Sequence, residues 1–457
     1  MSYPAYVEMK DSGVEWIGDV PSHWEPVRFK FIAAFYGGGT PSKDNASYWK
    51  GDIPWVSPKD MKCRVIYDSE DHISEEALKG SATRLIEKGA VLIVVRSGIL
   101  KHSIPVAINA VPVALNQDMK AIVPGDRIEA SFLAYLIDGC QNALLLEWRK
   151  SGATVESLEH DYIANTTLVL PQSDEQRTIV TFLDRKSDEI DALLKLKERQ
   201  LELLDKKRQA LISHAVTRGL DSSARLRPSG IPWLGDVPAH WKRAQIKRIC
   251  KSFDYGTSES LSGKGEIRVL TMGNIQNGEI ILPEKGSLDS VSDDLILQHN
   301  DLLYNRTNSP DLVGKVGIFR GSVEDKISFA SYLARMRVDD ETSPVFLNYL
   351  FNSRELSAFV RSLAFVSINQ ANLNPTRFGE VVVHLPPLEE QQAIANYLDG
   401  ETARIDGIAQ TVQMQINKLR DYRQSLISAA VTGKIDVRGE TDDTMRGVDK
   451  KRAGRRG

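Results

Sequence analysis

Cysteine is scarce in this chain. Three occur in 457 residues, Cys63, Cys140 and Cys250, far apart and without paired spacing. That argues against a disulfide framework or a zinc site and fits a reducing cytosol. Long apolar runs are also missing. The longest, AVLIVV at 90–95, falls far short of the roughly 20 residues of a membrane span. Its length and β-branching read as a buried strand. The opening, MSYPAYVEMKDSG, has no basic segment followed by an apolar one, so no secretory signal is expected. The expectation is a cytoplasmic protein with no membrane partner. Neither sign of charge dominates, with 58 Lys and Arg against 61 Asp and Glu and a net charge of −3. Bulk charge therefore lends nothing to nucleic-acid binding, and any DNA contact must come from local placement of cations. The most basic stretch, RGVDKKRAGRRG at 446–457, is Gly-rich and aperiodic. It reads as a solvated, disordered tail rather than a binding arm.

Signatures of chemistry are absent too. Methyl transfer to an amino group calls for a Gly-rich cofactor turn and an Asn-Pro-Pro-aromatic run; Asn374-Pro375-Thr376 is not one. Gly314-Lys315 and Gly433-Lys434 lack the upstream Gly and the following Ser or Thr of a phosphate loop. Pro310-Asp311 followed by Glu324-Asp325-Lys326 is the pattern of acids plus Lys that can hold Mg²⁺ beside a scissile phosphate. Such short patterns recur by chance, so a nuclease is the lesser alternative. No catalytic residue, metal ligand or cofactor of this chain's own is assigned.

What the chain does have is written twice. Residues 12–24, SGVEWIGDVPSHW, return at 229–241 as SGIPWLGDVPAHW. Residues 170–221 return at 385–436 without a gap. A repeat on this scale fixes the plan before any single residue is weighed. Each copy has a Trp-rich lead-in, a globular stretch and a long helix. The globular stretches carry short β-branched runs broken by Gly, Pro and Asn, as strands and turns do. Each adds a helical patch, at 131–148 and 345–363. The Trp pairs, Trp16 with Trp24 and Trp233 with Trp241, are expected to pack against helix ends.

Along the helices, Ile179, Leu183, Ile190, Leu193, Leu201, Leu204, Leu211 and Ala215 form one stripe. Ile405, Ile408, Val412, Leu419, Tyr422, Leu426 and Ala430 form another. Spacing by threes and fours is a coiled-coil seam. Each helix spans about 40 residues, or roughly 60 Å. The link to the second Trp-rich segment is about ten residues, reaching at most about 35 Å. Parallel pairing would need the chain to return the whole helix length, so antiparallel pairing is expected. The fold class is α+β: two similar mixed α/β domains joined by two long helices in an antiparallel coiled coil, a pseudo-two-fold dumbbell.

Several blocks, taken in order, resemble the specificity subunit of type I restriction–modification enzymes. They are the two WxGDVPxHW segments, GGGTPS through YWKGDIPWVSPKDM at 37–61, NQDMKAIVP at 116–124, LYNRTNSPDLVGKVGIF at 303–319, and the paired LPQSDEQ and LPPLEEQ. The resemblance implies two target recognition domains, each reading half of a split, asymmetric double-stranded DNA site. It implies a coiled coil that sets the spacer, and no chemistry in this subunit. Two modification subunits would bring S-adenosylmethionine and methylate adenine; two motor-nuclease subunits, using ATP and Mg²⁺, would join for restriction. The map is then a lead-in over 1–24, recognition domains at 25–170 and 242–385, and helices at 171–221 and 386–436. A linker with the second lead-in covers 222–241, and the tail is 437–457. A rod of this length suits an unread gap of about five to eight base pairs.

Base edges are read by Arg, Lys, Asn, Gln, Ser and Thr, and phosphates by cations and amides. Candidates in the first domain are Gly38, Gly39, Thr40, Ser42, Lys43, Ser57, Lys59, Arg96, Ser97, Lys101, Asn116 and Gln117. In the second they are Tyr255, Thr257, Ser258, Asn274, Asn305, Arg306, Thr307, Asn308, Lys315, Asn369 and Gln370. The bland alternatives are a turn for the glycines, backbone satisfaction for Asn116-Gln117, solvation for Lys59 and Lys101, and a structural salt bridge for Arg96 and Arg306. Those two arginines match between copies, as do Gly39-Thr40 and Gly256-Thr257. Shared residues suit phosphate or scaffold, and residues that differ suit discrimination. The competing class is a structural adaptor whose helices dock proteins without DNA readout.

Overall fold

The computed structural model describes residues 3–150, 155–231, 234–263, 265–368 and 370–441. Trp233, Asn369 and the tail beyond Thr441 lie outside the described residues. The chain divides into two units, Met1–Lys197 with Met414–Gly457, and Glu198–Gln413. Both are α+β and share one topology.

In the first unit the apolar run becomes the strand Val91–Val94, buried throughout. Successive side chains point to opposite faces. Val91 and Ile93 therefore enter one core cluster while Leu92 and Val94 enter another. Around it the sheet order is Ala33–Gly37, Met119–Pro124, Val91–Val94, Val106–Asn109, Val65–Ile66, with the last pair alone parallel. A smaller sheet sets Ile53–Val56 parallel to Ala114–Leu115 and antiparallel to His72–Ile73. The helical patch is two helices, Ala130–Gly139 and Gln141–Trp148, separated at Cys140.

The second unit repeats this. Its central strand Leu302–Asn305 lies between Leu333–Val338 and Val316–Ile318, with Cys250–Tyr255 at one edge and Glu279–Ile280 then Ile275–Gln276 at the other. Ile267–Leu270 runs parallel to Ile327–Phe329 and antiparallel to Ser287–Leu288. The helices are Pro344–Asn352 and Arg354–Ser362. Two features of it bear on the site. Thr307–Asn308, Gln370–Asn372 and Phe365–Ser367 form a three-stranded sheet. Arg335, 2% exposed, is bound by Asp254 at 2.7 Å and lies 3.8 Å from the buried Asp301, which also takes Arg337 at 2.7 Å.

The long helices are Ser173–Arg218 and Leu388–Val431, about 65–70 Å each. They pair antiparallel in each unit. In the first, Ile179 and Leu183 share a core with Leu426, Ile427 and Val431, and Arg423 meets Asp191 at 2.6 Å. In the second, Ile212 packs with Ile394 and Leu398, and Arg208 lies 3.5 Å from Asp406. The seam differs in detail from the expected stripe. Leu194 and Ile416 are buried, whereas Leu193, Ile408 and Tyr422 face outward. A helix turning every 3.6 residues drifts off a strict heptad, so neighbouring apolar positions exchange roles.

The Trp-rich segments dock on the helix starts. Trp24 and Trp241 are buried, and their indole N–H groups donate to Glu175 and Glu390. The next residue completes each motif. Gln176 accepts from the Glu129 amide and donates to the Arg127 and Pro171 carbonyls. Gln391 accepts from the Ser343 amide and donates to the Glu341 and Pro386 carbonyls. Glu-Gln thus holds both the lead-in and the loop before the helical patch.

Candidate nucleic-acid interface

In each unit three loops converge beside the central strand. In the first, the Gly39 amide donates to the Leu115 carbonyl, and Thr40 hydrogen-bonds Gln117. A Cβ on Gly38 would lie 1.9 Å from the Asn116 carbonyl oxygen. This close approach requires glycine. Asn116 is buried, and its side chain accepts from the Asp118 amide at 2.7 Å. Arg96 donates Nε to Asp118 at 2.7 Å while remaining largely exposed. Ser97 Oγ accepts from Ile99 to start the turn Gly98–Lys101, with Lys101 exposed at its end. The Ser97 amide donates to Glu156, so the 155–158 segment borders the same place. Ser42 and Lys43 lie exposed just beyond Thr40.

Two first-unit candidates have local duties. Ser57 caps the turn Pro58–Asp60 through Asp60. Lys59 pairs with Asp71 at 2.8 Å and Glu70 at 3.2 Å.

In the second unit the Thr257 amide donates to Phe329, and Ser331 donates back to the Thr257 carbonyl. Ser258 follows, exposed. Arg306 donates Nη1 to the Ser331 carbonyl at 2.7 Å, and its guanidinium lies 5.0 Å from the centroid of the exposed Tyr255 ring. The sequence match of the two arginines does not hold in the structure: Val94 pairs with Met119 as Asn305 does with Leu333, so Arg306 stands where Val95 does and Arg96 where Thr307 does. Arg96 holds a carboxylate, whereas Arg306 holds a carbonyl and an aromatic face. Thr307 accepts from Asn372, and Asn308 from the Ser309 amide. Asn305 is buried, and its side-chain oxygen has no hydrogen-bond partner. Gln370 is exposed one strand away from Thr307–Asn308.

Asn274 and Lys315 sit apart from that convergence. Asn274 caps the turn Met272–Asn274 through Thr271 and donates to the Ile281 carbonyl. Lys315 lines a cleft of about 490 Å³ with Arg208, Arg361 and Asp399.

The alternative nuclease acids are engaged separately: Asp325 accepts from the Ser322 amide and Lys326 pairs with Glu266 at 2.7 Å. Among the described residues no group of three or more His, Cys, Asp or Glu is arranged to hold a metal ion. Burial pushes the Cys140 and Cys250 thiols up to about 12, which removes their nucleophilicity at neutral pH. No helix among the described residues is long and apolar enough to cross a membrane.

Reasoning from sequence missed three participants. Asp118 and Ser331 are the partners of Arg96 and Arg306. The exposed apolar side chains of the Phe365–Ser367 strand lie at the far edge of the sheet that includes Thr307–Asn308. The β-branched, alternating character of FVSI ahead of Asn369-Gln370 was the available signal for the last.

Comparison with known proteins gives a consistent result. The model of the family described as "Type I restriction modification DNA specificity domain" matches residues 21–203 and 238–418. The EcoR124I/EcoR124II specificity subunit of Escherichia coli is 38% identical over 176 residues, 38% of this chain and 44% of the relative. The StySPI specificity subunit of Salmonella potsdam is 24% identical over 340 residues, 72% of this chain and 70% of the relative. The match to the first of these thus spans under half of that relative's length. Among solved structures, a type I R-M system chain superposes with a TM-score of 0.69 at 15% identity, covering 90% of this chain and 98% of its own. The HsdS subunit from Thermoanaerobacter tengcongensis does so with a TM-score of 0.51 at 16% identity, covering 91% and 98%.

Proposed function

The chain belongs to the type I restriction modification DNA specificity domain family, and from that premise we propose that it is the non-catalytic DNA-recognition subunit of such a system. Each unit reads one half of a split, asymmetric site in double-stranded DNA. The accessible candidates around Arg96 and Arg306 make the contacts: Gly38, Thr40, Ser42, Lys43, Arg96, Ser97, Lys101 and Gln117 in one unit, and Tyr255, Ser258, Arg306 and Gln370 in the other. The paired helices set the unread gap. Two modification subunits bind and supply S-adenosylmethionine for adenine methylation; two motor-nuclease subunits supply ATP-dependent cleavage. The complex works in the cytoplasm.

One observation carries this reading. The same three-loop arrangement occurs twice on one topology, but its exposed chemistry differs between units. Two matched scaffolds with different surfaces suit a reader of two different half-sites. Where shared residues bind phosphate, affinity should fall steeply with salt.

The test is to co-express the chain with its modification subunits, map methylated adenines across the host genome, and measure binding to the resulting motif at several salt concentrations. A split motif bound with salt-dependent selectivity is expected. Assembly with the modification subunits but no sequence-selective binding would leave a structural adaptor instead.

A further inference from the structure

The ribbon made by Phe365–Ser367 and Gln370–Asn372 presents side chains that the second unit leaves in the open. Phe365 is 70% exposed, Val366 58% and Ile368 91%. Burying such a side chain is worth about 1.5–3 kcal/mol, yet no core of the unit takes them. The base of the ribbon is fixed. Ala371 is buried, Asn372 donates to Thr307 at 2.9 Å, and Gln370–Asn372 pairs with Thr307–Asn308. Across the ribbon Phe365 faces Asn372 and Ser367 faces Gln370. With side chains alternating between faces, Phe365, Ser367 and Gln370 share one face.

Resting on the DNA-recognition reading above, we propose that this ribbon enters the major groove at the half-site of the second unit and reads an A·T pair there. Gln370 engages the adenine edge, and Phe365 with Ile368 packs on the thymine methyl group. The major groove admits a two-stranded ribbon. An amide matches the donor–acceptor pair of adenine, and an apolar group matches the thymine methyl. Charge at the ribbon's base favours nucleic acid over an apolar protein partner. Arg306 stands beside the strand that the ribbon pairs with, its guanidinium over Tyr255. Arg377 donates to the Leu363 carbonyl, two residues before the ribbon. Cations so placed suit the phosphates of the groove walls.

The first unit differs at the matching place. Its Leu158 amide donates to the Val95 carbonyl as the Leu373 amide does to the Arg306 carbonyl, so Val155 stands where Gln370 does and offers no amide to an adenine edge. The Gln370 contact therefore belongs to the second unit.

The test uses the complete complex with modification subunits and its own duplex site. Each thymine is replaced in turn by uracil, removing the methyl, and each adenine by purine, removing the amino group. Wild type should lose about tenfold in affinity at one A·T pair of the second half-site for either change. Phe365→Ser/Ile368→Ser should abolish the uracil effect, and Gln370→Ala the purine effect, without altering responses at the first half-site. Because these side chains are exposed, thermal melting of the variants should match wild type. Selective wild-type binding that is indifferent to every uracil overturns the ribbon's role. So does failure of the Ser variant to assemble, which would make the ribbon a protein-docking element. Absence of any selective binding by wild type would instead overturn the DNA-recognition reading, and this inference with it.

Discussion

Glu175 accepts the indole N–H of Trp24 at 3.2 Å and lies 2.7 Å from the His23 ring nitrogen. Glu390 repeats this with Trp241 at 3.1 Å and His240 at 2.7 Å. An acid in the first helical turn already complements the helix dipole. Here the same carboxylate also fixes the segment that leads into each unit. The helix that leaves a unit is thereby oriented against the point where that unit begins.

Removing this acceptor should be costly. Glu175→Ala leaves the Trp24 N–H and the Tyr6 hydroxyl without a partner in a mostly buried setting. We expect a loss of about 2–3 kcal/mol, with Glu175→Gln losing less because one acceptor oxygen remains. Urea denaturation followed by Trp fluorescence reads both. Equal midpoints for Glu175→Ala and wild type would mean that the contact is incidental.

The helix ends make a sharper comparison. Gly219 and Gly433 have φ of +75° and +68°, the left-handed conformation that follows many helices and favours glycine. Alanine at either costs about 1 kcal/mol for the backbone alone. At Gly433 the new Cβ would also lie 2.3 Å from Pro21 Cδ, whereas at Gly219 its nearest neighbour is the Glu390 side chain at 3.1 Å. Gly433→Ala should therefore destabilise clearly more than Gly219→Ala. Identical thermal shifts would contradict the close packing of the second helix's end on the first lead-in.

Much of this was legible because duplication exposes plan. The repeated Trp segments, Glu-Gln pairs and leucine stripes locate the helices and what docks on them. The helix break at Ser353 carries no Gly or Pro, so periodicity reads through it, and the one at Cys140 is marked only by Gly139 inside an otherwise continuous apolar pattern. Arg335 and Arg337 alternate along LARMRV as surface residues do. Their carboxylates come from Asp254 and Asp301 on other segments, a pairing that exists only after the sheet forms. The same holds for Arg96, whose partner Asp118 is 22 residues away. Local pattern names the candidates; tertiary pairing decides what each one holds.

That ionic cluster predicts a pH response in the second unit. Burial pushes the Asp254 carboxyl up, but the Arg335 hydrogen bonds and charge outweigh it, and its pKa ends below the ordinary value. A carboxylate with a depressed folded-state pKa contributes stability above its unfolded value, near 4. That contribution is lost as pH falls through the folded value. Asp254→Asn should lower stability at pH 7 by about 2 kcal/mol and flatten the loss on acidification. Urea midpoints of both proteins between pH 7 and pH 3 provide the check. Parallel curves would remove Asp254 from the acid response.

The helix pair predicts a change of site without a change of reader. Each unit keeps its own helix contacts, Asp191 with Arg423 in one and Arg208 with Asp406 in the other. Deleting one heptad between Asp191 and Arg208, and one between Asp406 and Arg423, leaves both contacts and nearly preserves the helix faces. Each helix shortens by about 10 Å, equivalent to about three base pairs. Methylation mapping of a host carrying this variant should show both half-sites unchanged and the gap between them shorter by that amount. A variant that assembles and methylates at the original gap would show that the helices do not set the spacing.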